Sequence, residues 1–334
     1  FFCLISVYLL SSCLSCKMDS PIVTLWGGDI KSPKLISVIP ESENSICLEF
    51  SLPVSIKKAS ILFKTEESPA TADISEPSKK IHLVMTQGPL AGREAILCGT
   101  VIDSGGNTLS FAVPFTGYNN RVARLQIHEL RPAYTKPKVE FIEFLVLSDG
   151  NLGGVEICNA GNIASPVWTF PACEVLEGDF VVYHLRSVEE NLVNETDEVL
   201  AQGIESAGID ARSPARDFWD VQSKAPLKKT AVILVRERTG GKIMDALLLS
   251  ESEKTAWPSD ELSIAAEEAV SAGVWGPTAL VTDACCSTGS TVTRTIGRDS
   301  FSNKKINTNS ASDWQICPTS KASPGTDNHP HTAL

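Results

Sequence analysis

Apolar residues along this chain recur mainly at every second position, the repeat of a β-strand, and only once at helical spacing. In residues 124–130, Leu125 and Ile127 alternate with Gln126 and His128, which predicts a half-buried strand. Residues 138–147 turn apolar on both faces after Ile142, which predicts a strand through the middle of a sandwich. Between them Pro132 and Pro137 cannot donate to a ladder and mark a connection.

Upstream, residues 35–39, 46–54, 59–63, 81–85, 95–102 and 108–115 read as short strands. In the second of these Ile46, Leu48, Phe50, Leu52 and Val54 alternate with Cys47, Glu49, Ser51 and Pro53. Asp103, Ser104, Gly105, Gly106 and Asn107 supply the positive φ that a tight hairpin needs. Such spacing predicts a small Ig-like sandwich over residues 33–117. Downstream, residues 155–157, 180–185, 230–235 and 243–249 read as further strands, the last two as a hairpin across 238–242. The single helical stripe is Leu262, Ala265, Ala266, Ala269 and Val270, with Ser259 at its N-cap and Gly273 beyond its end. Trp257 and Trp275 are placed to bury its two ends. The expected class is all-β: two consecutive Ig-like β-sandwiches, over 33–117 and 119–328. The second has inserted loops at about 186–226 and around the one short α-helix, and its apolar residues from Val122 to Trp314 close a two-layer shell.

The first ten residues are largely apolar and lead into Ser11, Ser12 and Cys13. The run is too short to span a bilayer but suits the apolar part of a signal peptide. The chain starts without Met or a basic segment, so residues 1–13 are expected to be a signal peptide truncated upstream. Leu10-Ser-Ser-Cys13 resembles a bacterial lipobox, which implies lipidation of Cys13; an ordinary signal peptide or a buried strand is the alternative. Residues 14–32 then form a tether, and residues 329–334 a flexible tail.

Charge narrows the partners. Up to residue 120 there are 9 Lys/Arg against 11 Asp/Glu, and beyond it 20 against 29. An acidic chain of this kind does not suit nucleic acid, whose phosphates require clustered Lys and Arg. The 10 cysteines form no zinc-spaced set. Cys47–Cys98, Cys158–Cys173, and Cys317 with Cys285 or Cys286 are candidate disulfides, with buried free thiols the equal alternative.

Coherent catalytic chemistry is missing from the pattern. His128 and Glu129, with Glu143 on the neighbouring strand, are the nearest to an acid/base or metal group, but as strand-face residues they read as solvated. His184 reads as a polar strand-face residue. Ser287 to Thr291 lack the order of a nucleophile elbow. Asp283, Asp299 and Asp313 lack calcium-loop spacing. Phe218 and Trp219, inside an acidic loop, either pack or form a partner-binding patch. No cofactor or metal is expected.

Family resemblance sharpens this reading. Ser37-Val-Ile-Pro40, Leu48-Glu-Phe-Ser-Leu-Pro-Val54 and Val101-Ile-Asp-Ser-Gly-Gly-Asn107 resemble bacterial Ig-like modules of surface proteins, which serve as spacers. Ile127-His-Glu-Leu130, Phe141-Ile-Glu-Phe144 and Leu176-Glu-Gly-Asp-Phe-Val-Val182 resemble strands of the lamin-tail domain, an Ig-like sandwich. Asp313-Trp314, then Pro324-Gly325 and Asn328, resemble that family's closing signature, with Arg294 before the closing loop. The resemblance is nearest to lamin-tail-bearing lipoproteins of spirochaetes. It implies structural roles for Glu129, Glu143, Arg294, Asp313, Trp314, Pro324, Gly325 and Asn328. The expected function is a non-catalytic cell-envelope lipoprotein, lipid-anchored to a membrane, that serves as a structural scaffold or binds an unknown protein partner. The alternatives are an accessory module of an extracellular nuclease or phosphatase system, and an adhesin that uses Phe218 and Trp219.

Overall fold

A computed structural model describes residues 32–328 apart from 64–65, 73–75, 87, 89–90, 160–166, 214, 222–223, 225–226 and 300–306. The apolar leader, Cys13, the tether up to residue 31 and the tail from 329 lie outside the described residues.

Six strands form the first region: β1 (Leu35–Ser42), β2 (Ser45–Phe63), β3 (Glu66–Ala72), β4 (Ser78–Met85), β5 (Glu94–Asp103) and β6 (Thr108–Thr116). They make one antiparallel sheet in the order β3-β4-β2-β5-β6, with β1 also on β2. The alternation predicts two strands within 46–63; they are one strand of 19 residues. Its first half pairs with β1 and β4, its second half with β5 and β3. Pro53 falls where pairing with β4 shifts register and just before pairing with β5 begins at Val54, so its missing N–H disrupts no ladder. Sharing β2 in this way joins all six strands into one hydrogen-bonded sheet, where an Ig-like sandwich has two. Ile46, Leu48, Phe50, Ile61, Ile81, Leu83, Leu97 and Val101 fill its core. The 103–107 hairpin is as expected: Asp103 accepts from the backbone N–H groups of Gly105 at 2.9 Å and Asn107 at 2.8 Å.

The second region contains β7 (Arg124–Arg131), β8 (Phe141–Ser148), β9 (Gly150–Asn151), β10 (Glu156–Asn159), β11 (Trp168–Thr169), β12 (Glu174–Val175) and β13 (Phe180–His184). A short helix α1 (Asp197–Leu200) follows, then β14 (Arg216–Trp219), β15 (Ala231–Arg236), β16 (Ile243–Ser250), α2 (Asp260–Ser271), β17 (Cys285–Cys286), β18 (Ile296–Arg298) and β19 (Trp314–Ile316). One sheet runs β14-β13-β8-β7-β18-β19 and a second β11-β10-β15-β16-β17, with β9 and β12 as a small ribbon. The two larger sheets enclose a shared core. Across the first of them Phe218, Tyr183, Ile142, Leu130 and Ile296 stand in one inward row, fixed by strand register. Helix α2 lies on β15 and β16 and buries Ala265, Ala266 and Ala269. That cover explains why every residue of β15 is buried. Trp275 is buried and Trp257 partly so at the helix ends, as the sequence predicts. The chain is all-β, with α2 the only helix longer than one turn among the described residues.

Candidate functional site

The residues with the most chemistry lie on the outer face of the β14-β13-β8-β7-β18 sheet. Strand register sets them in two rows. Asp217, Val182, Glu143, Glu129 and Gly297 form one; Trp219, His184, Phe141 and Arg131 form the next. His128 is the extra residue of a β-bulge between Ile127 and Glu129, which turns its ring toward Glu143. The expectation that His128, Glu129 and Glu143 are solvated is overturned: they and His184 are all 1% exposed or less. The bulge at His128 turns Glu129 off the core face along with the others, and the segments before β14 and after β19 cover that face.

Each buried charge is held by the chain's own groups. His128 Nδ1 is 2.7 Å from Glu143 Oε1, and the Gly325 N–H donates to Glu143 Oε2. Glu129 accepts from the Thr295 hydroxyl and from the Ser323 N–H at 2.9 Å. Asn328 donates to the carbonyls of His128 at 2.9 Å and Arg298 at 2.8 Å. Glu129, Glu143, Pro324, Gly325 and Asn328, which the resemblance treats as structural, therefore meet as one latch. Gly325 has φ of +82°, and a Cβ there would sit 3.0 Å from Arg212 Cβ. At Gly297, beside Glu129 in the row, a Cβ would be 2.9 Å from both Asn328 Cγ and Cys317 Sγ. Both positions need glycine.

Burial sets the protonation states. It pushes His128 down to about 4. It pushes Glu129 up to about 7, with Glu143 opposite adding to the effect, and carries Glu143 well above the usual carboxylate range. Nearby, His184 Nε2 is 2.6 Å from Asp217 Oδ1 and its ring stacks on Trp219 at 3.6 Å. Arg131 pairs with Asp210 and lies over Phe141.

Phe218 and Trp219 are 0% and 4% exposed. Of the two alternatives for this pair, packing holds and a partner-binding patch does not: Phe218 points into the core and Trp219 lies beneath the inserted segment. Arg294 has a buried Nε without a hydrogen-bond partner, and the buried, paired arginine nearby is Arg298, four residues on. Arg298 donates to Asp245 at 2.7 Å and to the Ile127 carbonyl at 2.9 Å, and its guanidinium lies 4.5 Å from the Trp314 ring centroid. Trp314, on the edge strand β19, is buried in the core of the second region. Asp313 accepts from the Thr308 and Ser310 N–H groups, a local cap, and is in no group of side chains placed to share an ion among the described residues. Cys47, Cys98, Cys158, Cys173, Cys285, Cys286 and Cys317 are free thiols, so none of the candidate disulfides is formed.

Two further features escape sequence reading. A cleft of about 430 Å³ opens between the regions, lined by Val38, Pro40, Phe115, Tyr118, Glu156 and Arg238. In it Glu156 accepts from Thr239 through Oε1, while its Oε2 has no partner. Glu41, Cys47 and His82 meet across three strands of the first region, with their ligand atoms within 4.8 Å of one another. Their separation along the chain follows no ligand motif; only the pairing of β1, β2 and β4 unites them.

A family model described as a protein second domain, TP_1001_2nd, matches residues 123–316, the β7–β19 region. The chain belongs to that family. An uncharacterized protein of Treponema pallidum (strain Nichols) is 35% identical over 197 residues, 57% of this chain. The chain spans about half the length of that curated relative, 49% of it. Among solved structures, the N-terminal part of the bacterial S-layer protein SbsC is similar over 46% of this chain and 40% of its own. Its 14% identity and TM-score of 0.26 are too low to bear on the fold.

Proposed function

We propose that this member of the second-domain family is a non-catalytic cell-envelope lipoprotein, anchored through Cys13, whose lamin-tail-like β7–β19 region is a scaffold for a protein partner. One observation carries the reading: the strongest acid/base set, His128, Glu129 and Glu143, is sealed from solvent and engaged with the closing segment. A group that must exchange protons with substrate needs access to it, and this one has none. The lamin-tail reading is supported by the meeting of Glu129, Glu143, Gly325 and Asn328 in a single latch. The anchor reading rests on Leu10-Ser-Ser-Cys13.

Palmitate labelling in a bacterial host, with and without Cys13→Ala, tests the anchor. Labelling should vanish in the variant, and equal labelling removes the lipid from the proposal. Phosphodiesterase and phosphatase assays on the purified chain test the scaffold. Turnover that Glu143→Gln abolishes without lowering the melting temperature would replace it with an enzyme. Cross-linking in intact cells should trap a protein partner at the second region.

A further inference from the structure

We propose that Glu41, Cys47 and His82 form a binding site for a zinc-class divalent metal on the outer face of the first sheet. Register places the three together. Cys47 of β2 stands directly opposite His82 of β4 on one side and Ile39 of β1 on the other. Glu41 lies two residues beyond Ile39, at the register shift between Pro40 and Ser42, where a bulge directs its side chain toward this group. Its Oε2 is 2.8 Å from His82 Nδ1, and the ligand atoms of all three residues lie within 4.8 Å of one another.

Zinc binds sulfur at about 2.3 Å and nitrogen or oxygen at about 2.0–2.2 Å, so ligands sharing one tetrahedral ion stand roughly 3–4 Å apart. Small side-chain adjustments bring this trio to that spacing. A thiolate, an imidazole and a carboxylate are the borderline-soft set that selects zinc or cobalt over calcium or magnesium. Neighbouring strands hold all three, so little ordering is left for the metal to impose. The side chains of His82 and Glu41 are 47% and 41% exposed. A pair so solvated contributes little to folding, and its exposure leaves a fourth coordination position open to water or to a donor from a partner.

The test uses the full reduced chain with Cys3, Cys13, Cys16 and Cys286 replaced by Ser, so that leader and exposed thiols do not compete. Cobalt(II) is added and followed by absorption, then displaced with zinc. One equivalent should give a thiolate-to-cobalt charge-transfer band that zinc removes. Cys47→Ser should abolish the band, and His82→Gln and Glu41→Gln should each weaken binding at least about tenfold. Melting curves without metal should coincide for all variants, since none of the three residues lies in the core. The proposal fails if the parent shows no band, if the band survives Cys47→Ser, or if His82→Gln binds as tightly as the parent.

Discussion

In β4 of the first region Ile81, Leu83 and Met85 are buried while Lys80, His82 and Val84 face out. In β7 of the second region every residue from Leu125 to Arg131 is buried. The strands have the same geometry and differ in what covers them. The first sheet curls around its core and leaves its outer face in water, so its charges pair in solvent, as Lys58 does with Glu67 at 3.7 Å. The second region covers its sandwich with α2 on one side and loops on the other. Charges trapped there must find partners inside, because an unpaired buried ion costs several kcal/mol. The same residue types are therefore dispensable in one region and structural in the other.

The largest test of that contrast is Arg298→Ala. Arg298 and Asp245 are 3% and 4% exposed, and the change leaves Asp245 buried with no cation, only the backbone N–H groups of Ile127 and Ala246. Removing one partner of a buried pair costs about 3–5 kcal/mol, so chemical denaturation should show a large loss. Lys58→Ala should leave the unfolding midpoint unchanged. Equal effects from the two variants would erase the distinction between the regions. Next in size is Glu143→Ala, which strips the acceptor from the Gly325 N–H and the partner from His128, each worth about 1–3 kcal/mol when left unsatisfied. Because it releases the closing segment, trypsin should cut the variant after Lys321 faster than the parent. An unchanged digestion rate would mean that the segment is held elsewhere.

The contrast also explains what was legible beforehand. Period-2 patterning and turn residues mark the strands of both regions and the 103–107 and 238–242 hairpins, and the one stripe at helical spacing marks helix α2, since all of these depend on local sequence. Alternation puts Glu143 on the face away from the core, but strictly applied it would set Glu129 beside Leu125 and Ile127, and only the bulge at His128 turns it outward. Alternation could not reveal that the segments before β14 and after β19 fold over that face, because a covering loop has no periodicity of its own. The burial of His128 and His184 was hidden for the same reason, while for Phe218 and Trp219 the apolar side chains already allowed packing. The motif specifies an arginine before the closing loop, not which strand position faces Asp245, so it does not point to Arg298. The Glu41, Cys47 and His82 group needed the register of three strands.

Acidity provides a third, smaller test. His128 has its folded value depressed to about 4, so the unfolded chain binds more protons below the ordinary 6.5, and this group loses stability as pH falls from 6.5 to 4. Glu129 has its folded value raised to about 7, so the native state binds more protons above the ordinary 4.5. It loses stability as pH rises from 4.5 to 7. Between about 4.5 and 6.5 the two oppose each other. Glu129→Gln keeps an acceptor for Ser323 and gives the Thr295 hydroxyl a donor, while removing the titration. Glu143, carried well above the usual carboxylate range, loses stability with rising pH in both proteins. Between about pH 5 and 6.5 the parent's stability should therefore fall while the variant's stays nearly level. Matching pH profiles would show that Glu129 does not titrate in this range.

The smallest effect is on reactivity rather than stability. Cys286 is exposed, Cys47 and Cys98 are half-buried, and Cys158, Cys173, Cys285 and Cys317 are buried. Burial pushes the thiols of Cys173 and Cys285 up to about 12, which keeps them protonated as well as inaccessible. In the native reduced chain a thiol reagent should therefore label Cys286 fastest among the described cysteines, then Cys47 and Cys98. The other four should react only in denaturant, with no change in melting temperature on Cys286 labelling. The order follows from the comparison of regions: the first exposes the outer side of its sheet, while the second conceals nearly everything but its edges. Rapid native labelling of Cys173, which lies under the inserted segment with its Sγ 3.8 Å from the Glu195 carbonyl, would show that the cover opens readily. The buried charges beneath it would then be within reach of solvent after all.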